Sequence, residues 1–106
     1  MTYQVVLKDD AKSDIATLSM YLQNQFGDSI RQKQVSILIS KMKSLSLMPN
    51  QGVNIFKAND IDFRLLRNSH NTILYEVNSE SKQVVVLRIY DNKSDFMNRL
   101  SKIFDF

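Results

Sequence analysis

The sequence predicts an α+β domain in which an α-helical hairpin packs on an antiparallel sheet built as a β-meander. Three observations carry this. Residues 63–67, 72–77 and 83–90 are rich in β-branched, aromatic and large apolar side chains, which suit a pleated, half-buried surface. Only the short polar segments 68–71 and 78–82 separate them, and connections this short force antiparallel neighbours, because a parallel return needs a crossover of a dozen or more residues. Upstream, two stretches repeat apolar residues at spacings of three and four, the period of an amphipathic helix.

In chain order, Tyr3, Val5 and Leu7 alternate along a strand over 3–8. Asp9 or Asp10 is a good N-cap for a helix over 9–26, striped by Ala11, Ile15, Leu18, Leu22 and Phe26, with Asp14, Gln23 and Asn24 outside the stripe. Gly27 ends it, since glycine tolerates the left-handed C′ conformation. Asp28 caps a second helix over 28–47, striped by Val35, Leu38, Ile39, Met42 and Leu45, with Arg31, Lys33, Lys41 and Lys43 on its solvated side. So short a break makes the pair an antiparallel hairpin. Pro49, Asn50 and Gly52 terminate it. Residues 53–56 read as a short edge strand, and Asn59-Asp60 as the turn into the meander. After Tyr90, Ser94 or Asp95 caps a terminal helix whose apolar residues are Phe96, Met97, Leu100, Ile103 and Phe104.

Period-2 geometry divides the sheet into two faces. Placing Phe63, Leu65, Ile73, Tyr75, Val77, Val85, Leu87 and Ile89 against the helices sends Arg64, Leu66, Leu74, Glu76, Val84, Val86, Arg88 and Tyr90 to the other side. That second face is too apolar for an ordinary wet face and too charged for a plain core.

A chain of 106 residues is one domain, 1–106, by the usual size prior. Hydrophobic residues make up 43% and charged residues 24%, ordinary values for a soluble globular protein. No apolar run approaches a membrane span and no signal-peptide pattern opens the chain. The absence of cysteine excludes disulfides and thiolate metal sites and fits a cytoplasmic location. With one histidine, neither a His-based metal site nor a His-centred triad is expected, and no cofactor is implied. The net charge of +3 permits a polyanionic partner without demanding one.

The order of elements, together with several residues, resembles the RelE/ParE superfamily of bacterial type II toxins. The likeness includes Tyr3-x-Val5, Ala11-x-x-Asp14-Ile15 with Tyr21, Leu47-x-Pro49-x-x-Gly52, Phe63-Arg64-Leu65-Leu66, Ile73-Leu74-Tyr75-Glu76-Val77 and the run from Val85 to Lys93. The ordered set spans nearly the whole chain. The resemblance implies a RelE-like fold, with the first strand beside the last. It also implies a growth-inhibiting toxin held by a cognate antitoxin, acting on ribosome-bound mRNA (the RelE-like route) or on DNA gyrase (the ParE-like route).

In the nuclease reading, metal-free cleavage needs a base, cations to stabilise the phosphorane and an acid for the leaving oxygen. Arg64 occupies the family's strand-arginine position and Lys93 its basic position after the last strand, where arginine is more usual. Tyr90 stacks on a base or donates a proton. Against this reading, Tyr90-Asp91 stands where histidine-dependent members carry histidine, and residues 53–56 hold no matching glutamate. The run from Arg88 to Asp95 looks closer to the ParE-like ending. The blander alternatives pair Arg64 with Glu76, pack Tyr90 as an ordinary aromatic and leave His70 on a plain surface turn. A non-catalytic, degenerate member, acting as a small protein- or nucleic-acid-binding module, fits the same residues.

Leu66, Leu74, Val84 and Val86 lie, in this reading, on the face the hairpin leaves uncovered. Left bare, they form a larger patch than most soluble monomers tolerate. The antitoxin is therefore expected to lay an apolar stripe there beside Arg64, Arg88 and Tyr90, overlapping the terminal helix. The alternative is that this helix covers the patch permanently and the antitoxin binds elsewhere.

Overall fold

The computed structural model describes residues 2–104. Its elements are β1 (Gln4–Leu7), α1 (Asp9–Phe26), α2 (Asp28–Ser44), β2 (Val53–Ala58), β3 (Ile61–Arg67), β4 (Asn71–Asn78), β5 (Gln83–Asp91) and α3 (Asp95–Phe104). The strands form one sheet in the order β1-β5-β4-β3-β2. Strands β2 to β5 pair antiparallel as a meander, and β1 joins parallel to β5, with Val5 beside Val84 and Leu7 beside Val86. The first strand thus lies beside the last, and β5 is interior. The parallel return is long enough only because α1, α2 and the meander intervene.

Local chemistry sets the boundaries. Gly27 has φ 87° and donates its N–H to Gln23 O at 3.0 Å, ending α1, while its carbonyl accepts from Arg31 N in the first turn of α2. Asp9 and Asp10 lie in the first turn of α1, where they complement the helix dipole; Lys8 is the N-cap and contributes no side-chain cap. Neither Asp9 nor Asp10 therefore makes the expected side-chain cap. α2 stops at Ser44, three residues short of the expected 47, because residues 45–47 tighten into a turn with Leu45 N bonded to Met42 O. Ser94 caps α3, its Oγ accepting the Met97 N–H at 3.2 Å. Asn78 Oδ1 accepts the N–H groups of Glu80 and Ser81, building the β4–β5 turn from its own side chain.

The core lies between the hairpin and the sheet. Ala11, Leu38, Met42 and Leu45 from the helices meet Leu66, Ile73, Tyr75, Val77, Val84, Val86 and Ile89 from the strands. This corrects the expected faces. Strand β4 presents Ile73, Tyr75 and Val77 to the helices as expected, but β3 and most of β5 are turned over. Arg64 stands opposite Tyr75, and Val84 opposite Val77, so both share the hairpin face, with Leu66 and Val86. Phe63, Leu65 and Val85 face the other way, opposite Glu76 or Leu74. Both faces carry aliphatics, so alternation alone does not fix which one is inward. A bulge between Leu74 and Tyr75 inserts Leu87 unpaired on β5. It shifts the phase, so that Ile89 returns to the hairpin face while Arg88 and Tyr90 stay on the far one.

Candidate functional site

The three residues expected to act in cleavage, Arg64, Lys93 and Tyr90, occupy three different environments. Arg64 lies on the hairpin face of β3, and its guanidinium is turned inward. Nη1 donates to Gly52 O at 2.8 Å and to Asn50 O at 3.4 Å, and Nη2 to Asp62 Oδ2 at 3.1 Å. Its side chain is 15% exposed. Among the described residues, its buried Nε has no acceptor. Asp62, and not Glu76, is its carboxylate partner, because Glu76 stands opposite Phe63 on the other face.

Arg64 belongs to a strut with Tyr75. The Tyr75 hydroxyl donates to Pro49 O at 2.7 Å and accepts the Gly52 N–H at 2.9 Å. Burial pushes the phenol up from its usual value, against the opposing pull of the Gly52 N–H and the Arg64 charge. A side chain at position 52 has no room, since its Cβ would sit 2.6 Å from Leu65 O and 2.8 Å from the Tyr75 hydroxyl. Strand and loop are thereby pinned together where the hairpin ends.

Tyr90 sits on the far face, opposite Thr72. Its ring lies 5.0 Å from Phe96, the second residue of α3, and the Arg88 guanidinium hangs 5.6 Å over it. Arg88 is itself held. Its Nε and Nη2 donate to Asp14 on α1 at 2.8 and 3.0 Å, and Asp14 also accepts the Ile89 N–H at 2.9 Å. β1 ends its pairing at Val86, so Asp14 takes up an edge N–H of β5 just beyond it. Partial burial raises the Asp14 pKa, but hydrogen bonds from Arg88 and Ile89 and the Arg88 charge outweigh that and hold the carboxyl below its ordinary value. Arg88, Tyr90 and half-exposed Phe96 form a platform with one cation and two rings.

Lys93 lies elsewhere, exposed on the loop after β5, in the wall of a cleft of about 360 Å³ at the hairpin turn. Leu18, Tyr21, Leu22, Phe26 and Ile30 form the apolar wall; His70, Asn71, Asp91, Asn92 and Lys93 form the polar one. Asparagines stitch the polar wall together. Asn92 donates to His70 O and Asn68 O and accepts from Thr72 Oγ1, and Asn68 Oδ1 accepts the His70 and Asn71 N–H groups.

Of the residues expected at the partner surface, Leu66, Val84 and Val86 are buried under the hairpin; Leu74, half-buried, and Arg88 are on the far face. Sequence reasoning placed Asp14 in a family motif without its partner, treated Phe96 only as an apolar helix residue and left His70 on a plain turn. Tyr21, one position off the α1 stripe, was the available signal for the cleft, whereas Phe26, expected within the stripe, is exposed. Among the described residues, no helix is long and apolar enough to cross a membrane.

Comparison with known proteins supplies the family. The model of the family described as the ParE toxin of type II toxin–antitoxin system, parDE, matches residues 5–96. No curated protein matches the sequence. The fold is similar to that in the chromosomal ParDE system of P. aeruginosa, with TM-score 0.66, 18% identity, and coverage of 84% of this chain and 95% of that one. It is also similar to that in the RelBE2 toxin–antitoxin complex of Mycobacterium tuberculosis, with TM-score 0.61, 18% identity, and coverage of 86% and 99%. The archaeal RelE–RelB complex of Pyrococcus horikoshii gives TM-score 0.62 at 16% identity, covering 88% and 98%. At such identities these likenesses speak for the fold, while the family match covers most of the sequence: the chain belongs to the ParE toxin family of type II toxin–antitoxin systems.

Proposed function

We propose that this toxin arrests growth by the ParE-like route, inhibiting DNA gyrase without cutting nucleic acid, and that a cognate antitoxin neutralises it. The observation that carries the reading is the dispersal of Arg64, Lys93 and Tyr90. Phosphoryl cleavage needs cation, acid and base within reach of one phosphate. Here Arg64 is committed to Gly52, Asn50 and Asp62, Tyr90 faces α3 across the sheet, and Lys93 lines the cleft. A pre-organised cation–aromatic platform suits a protein target better, because arginine and tyrosine dominate binding energy at protein interfaces. Arg88, Tyr90 and Phe96 are the residues assigned to gyrase contact. The reading places the toxin in the cytoplasm, with its target.

Purified toxin is tested against gyrase supercoiling and, in parallel, against ribosome-bound mRNA. Supercoiling is expected to be blocked while the mRNA stays intact, and Tyr90→Ala is expected to weaken gyrase inhibition about tenfold. Cleaved mRNA with unaffected supercoiling refutes this reading and favours the RelE-like route.

A further inference from the structure

We infer that one row of side chains on the far sheet face seats the toxin's target. The target segment lying on it is apolar, with a lysine or arginine near its middle. This rests on the gyrase reading proposed above. Cross-strand register defines the row: Val6 lies beside Val85, Val85 opposite Glu76, Glu76 opposite Phe63, and Phe63 opposite Phe56. It crosses the sheet from β1 to β2, and with strands about 4.8 Å apart it is about 19 Å long. Its ends are open, Phe56 being 60% and Val6 36% exposed, while Val85, Glu76 and Phe63 are half-buried. The rings of Phe56 and Phe63 lie 5.9 Å apart and make one continuous surface.

The row differs from what borders it. A sheet face that meets only water turns polar side chains to it. The next row does so at Gln4, Gln83 and Asn78, whereas this one is polar at Glu76 alone. Exposed apolar side chains on the helices stand instead among polar ones: Met20 beside Ser19, Gln23 and Arg31, and Ile37 beside Ser36, Ser40 and Lys41. Glu76 selects the occupant. Among the described residues, no hydrogen bond or ion pair engages its carboxylate. Covering it with apolar surface alone would remove its water and supply no partner. The occupant must therefore bring a cation to it. A second copy seated face to face about this row would bring a second carboxylate instead. Continuity points to the target: Leu74, next along β4 on the same face, stands opposite Arg88, so the row adjoins the platform of Arg88, Tyr90 and Phe96.

The test measures the concentration of full-length toxin that half-inhibits gyrase supercoiling, with circular dichroism and thermal melts checking that each variant is folded. Glu76→Lys is expected to raise that concentration about 30-fold or more. Glu76→Gln, which keeps the shape and drops the charge, is expected to raise it about tenfold. Phe56→Ser, at the exposed end of the row, is expected to raise it about tenfold as well. Met20→Ser, on the outer side of α1, is expected to stay within about threefold of the wild type. A change below about threefold in both Glu76 variants, or in Phe56→Ser, overturns the row as the target's seat, as does an equal loss in Met20→Ser. Calorimetry with the polypeptide encoded by the adjoining gene, and sedimentation of the free toxin, identify other occupants. Row variants that lose that polypeptide but keep inhibition, or that dissolve a wild-type dimer, give the row to the antitoxin or to a second copy and overturn the inference. A wild-type toxin that leaves supercoiling untouched overturns the gyrase reading and this inference together; an active wild type with unaffected variants overturns this inference alone.

Discussion

Asp14 and Arg88, 74 residues apart in sequence, form a two-pronged ion pair at 2.8 and 3.0 Å that ties α1 to β5. The same carboxylate takes the Ile89 N–H, so one side chain both closes an open strand edge and orients the cation above Tyr90.

This pair gives a prediction in pH. The Asp14 pKa is lowered from the model-compound value of 3.8 in the folded state, so its contribution to stability is present above that value and is lost as pH falls through the lower, folded one. Asp14→Ala leaves the Ile89 N–H without its acceptor and is expected to cost about 1 kcal/mol at neutral pH. Thermal melts should show that cost shrinking below about pH 3.8. An equal gap between the two proteins at pH 7 and pH 2.5 would refute the linkage.

The Tyr75 strut predicts a buried defect. Tyr75→Phe keeps the ring but removes both the donor to Pro49 O and the acceptor for Gly52 N–H. The expected loss is about 1–3 kcal/mol, a fall in melting temperature of several degrees for a domain of this size. Faster hydrogen exchange at the Gly52 amide is the local check. Gly52→Ala should also destabilise, because its methyl group meets backbone at Leu65.

Arg64 separates a structural from a chemical role. Arg64→Ala strands the carbonyls of Gly52 and Asn50 and leaves Asp62 only its longer pairing with Lys57, and is expected to cost about 1–3 kcal/mol. Any drop in toxicity should then follow the melting temperature. Full stability with abolished toxicity would return Arg64 to the functional site.

Much of the fold was legible in the sequence because local chemistry decides it. Gly27 between two apolar stripes gives the hairpin, short polar connections give the meander, and Ser94 before an apolar run gives α3. The family likeness was legible in the same way, as an ordered set of mostly core positions. The phase of each strand was not. Residues 84–87 are all aliphatic, so period 2 offers two equivalent solutions, and the choice falls to cross-strand register and to the bulge at Leu87. That choice buried Val84, Val86 and Arg64 and left Tyr90 to Phe96. Nor could spacing bring Asp14 to Arg88, or the hairpin turn to the loops at His70 and Lys93. Sequence determines which residues can pair locally. Only packing across 70 or so residues of intervening chain decides which distant ones do.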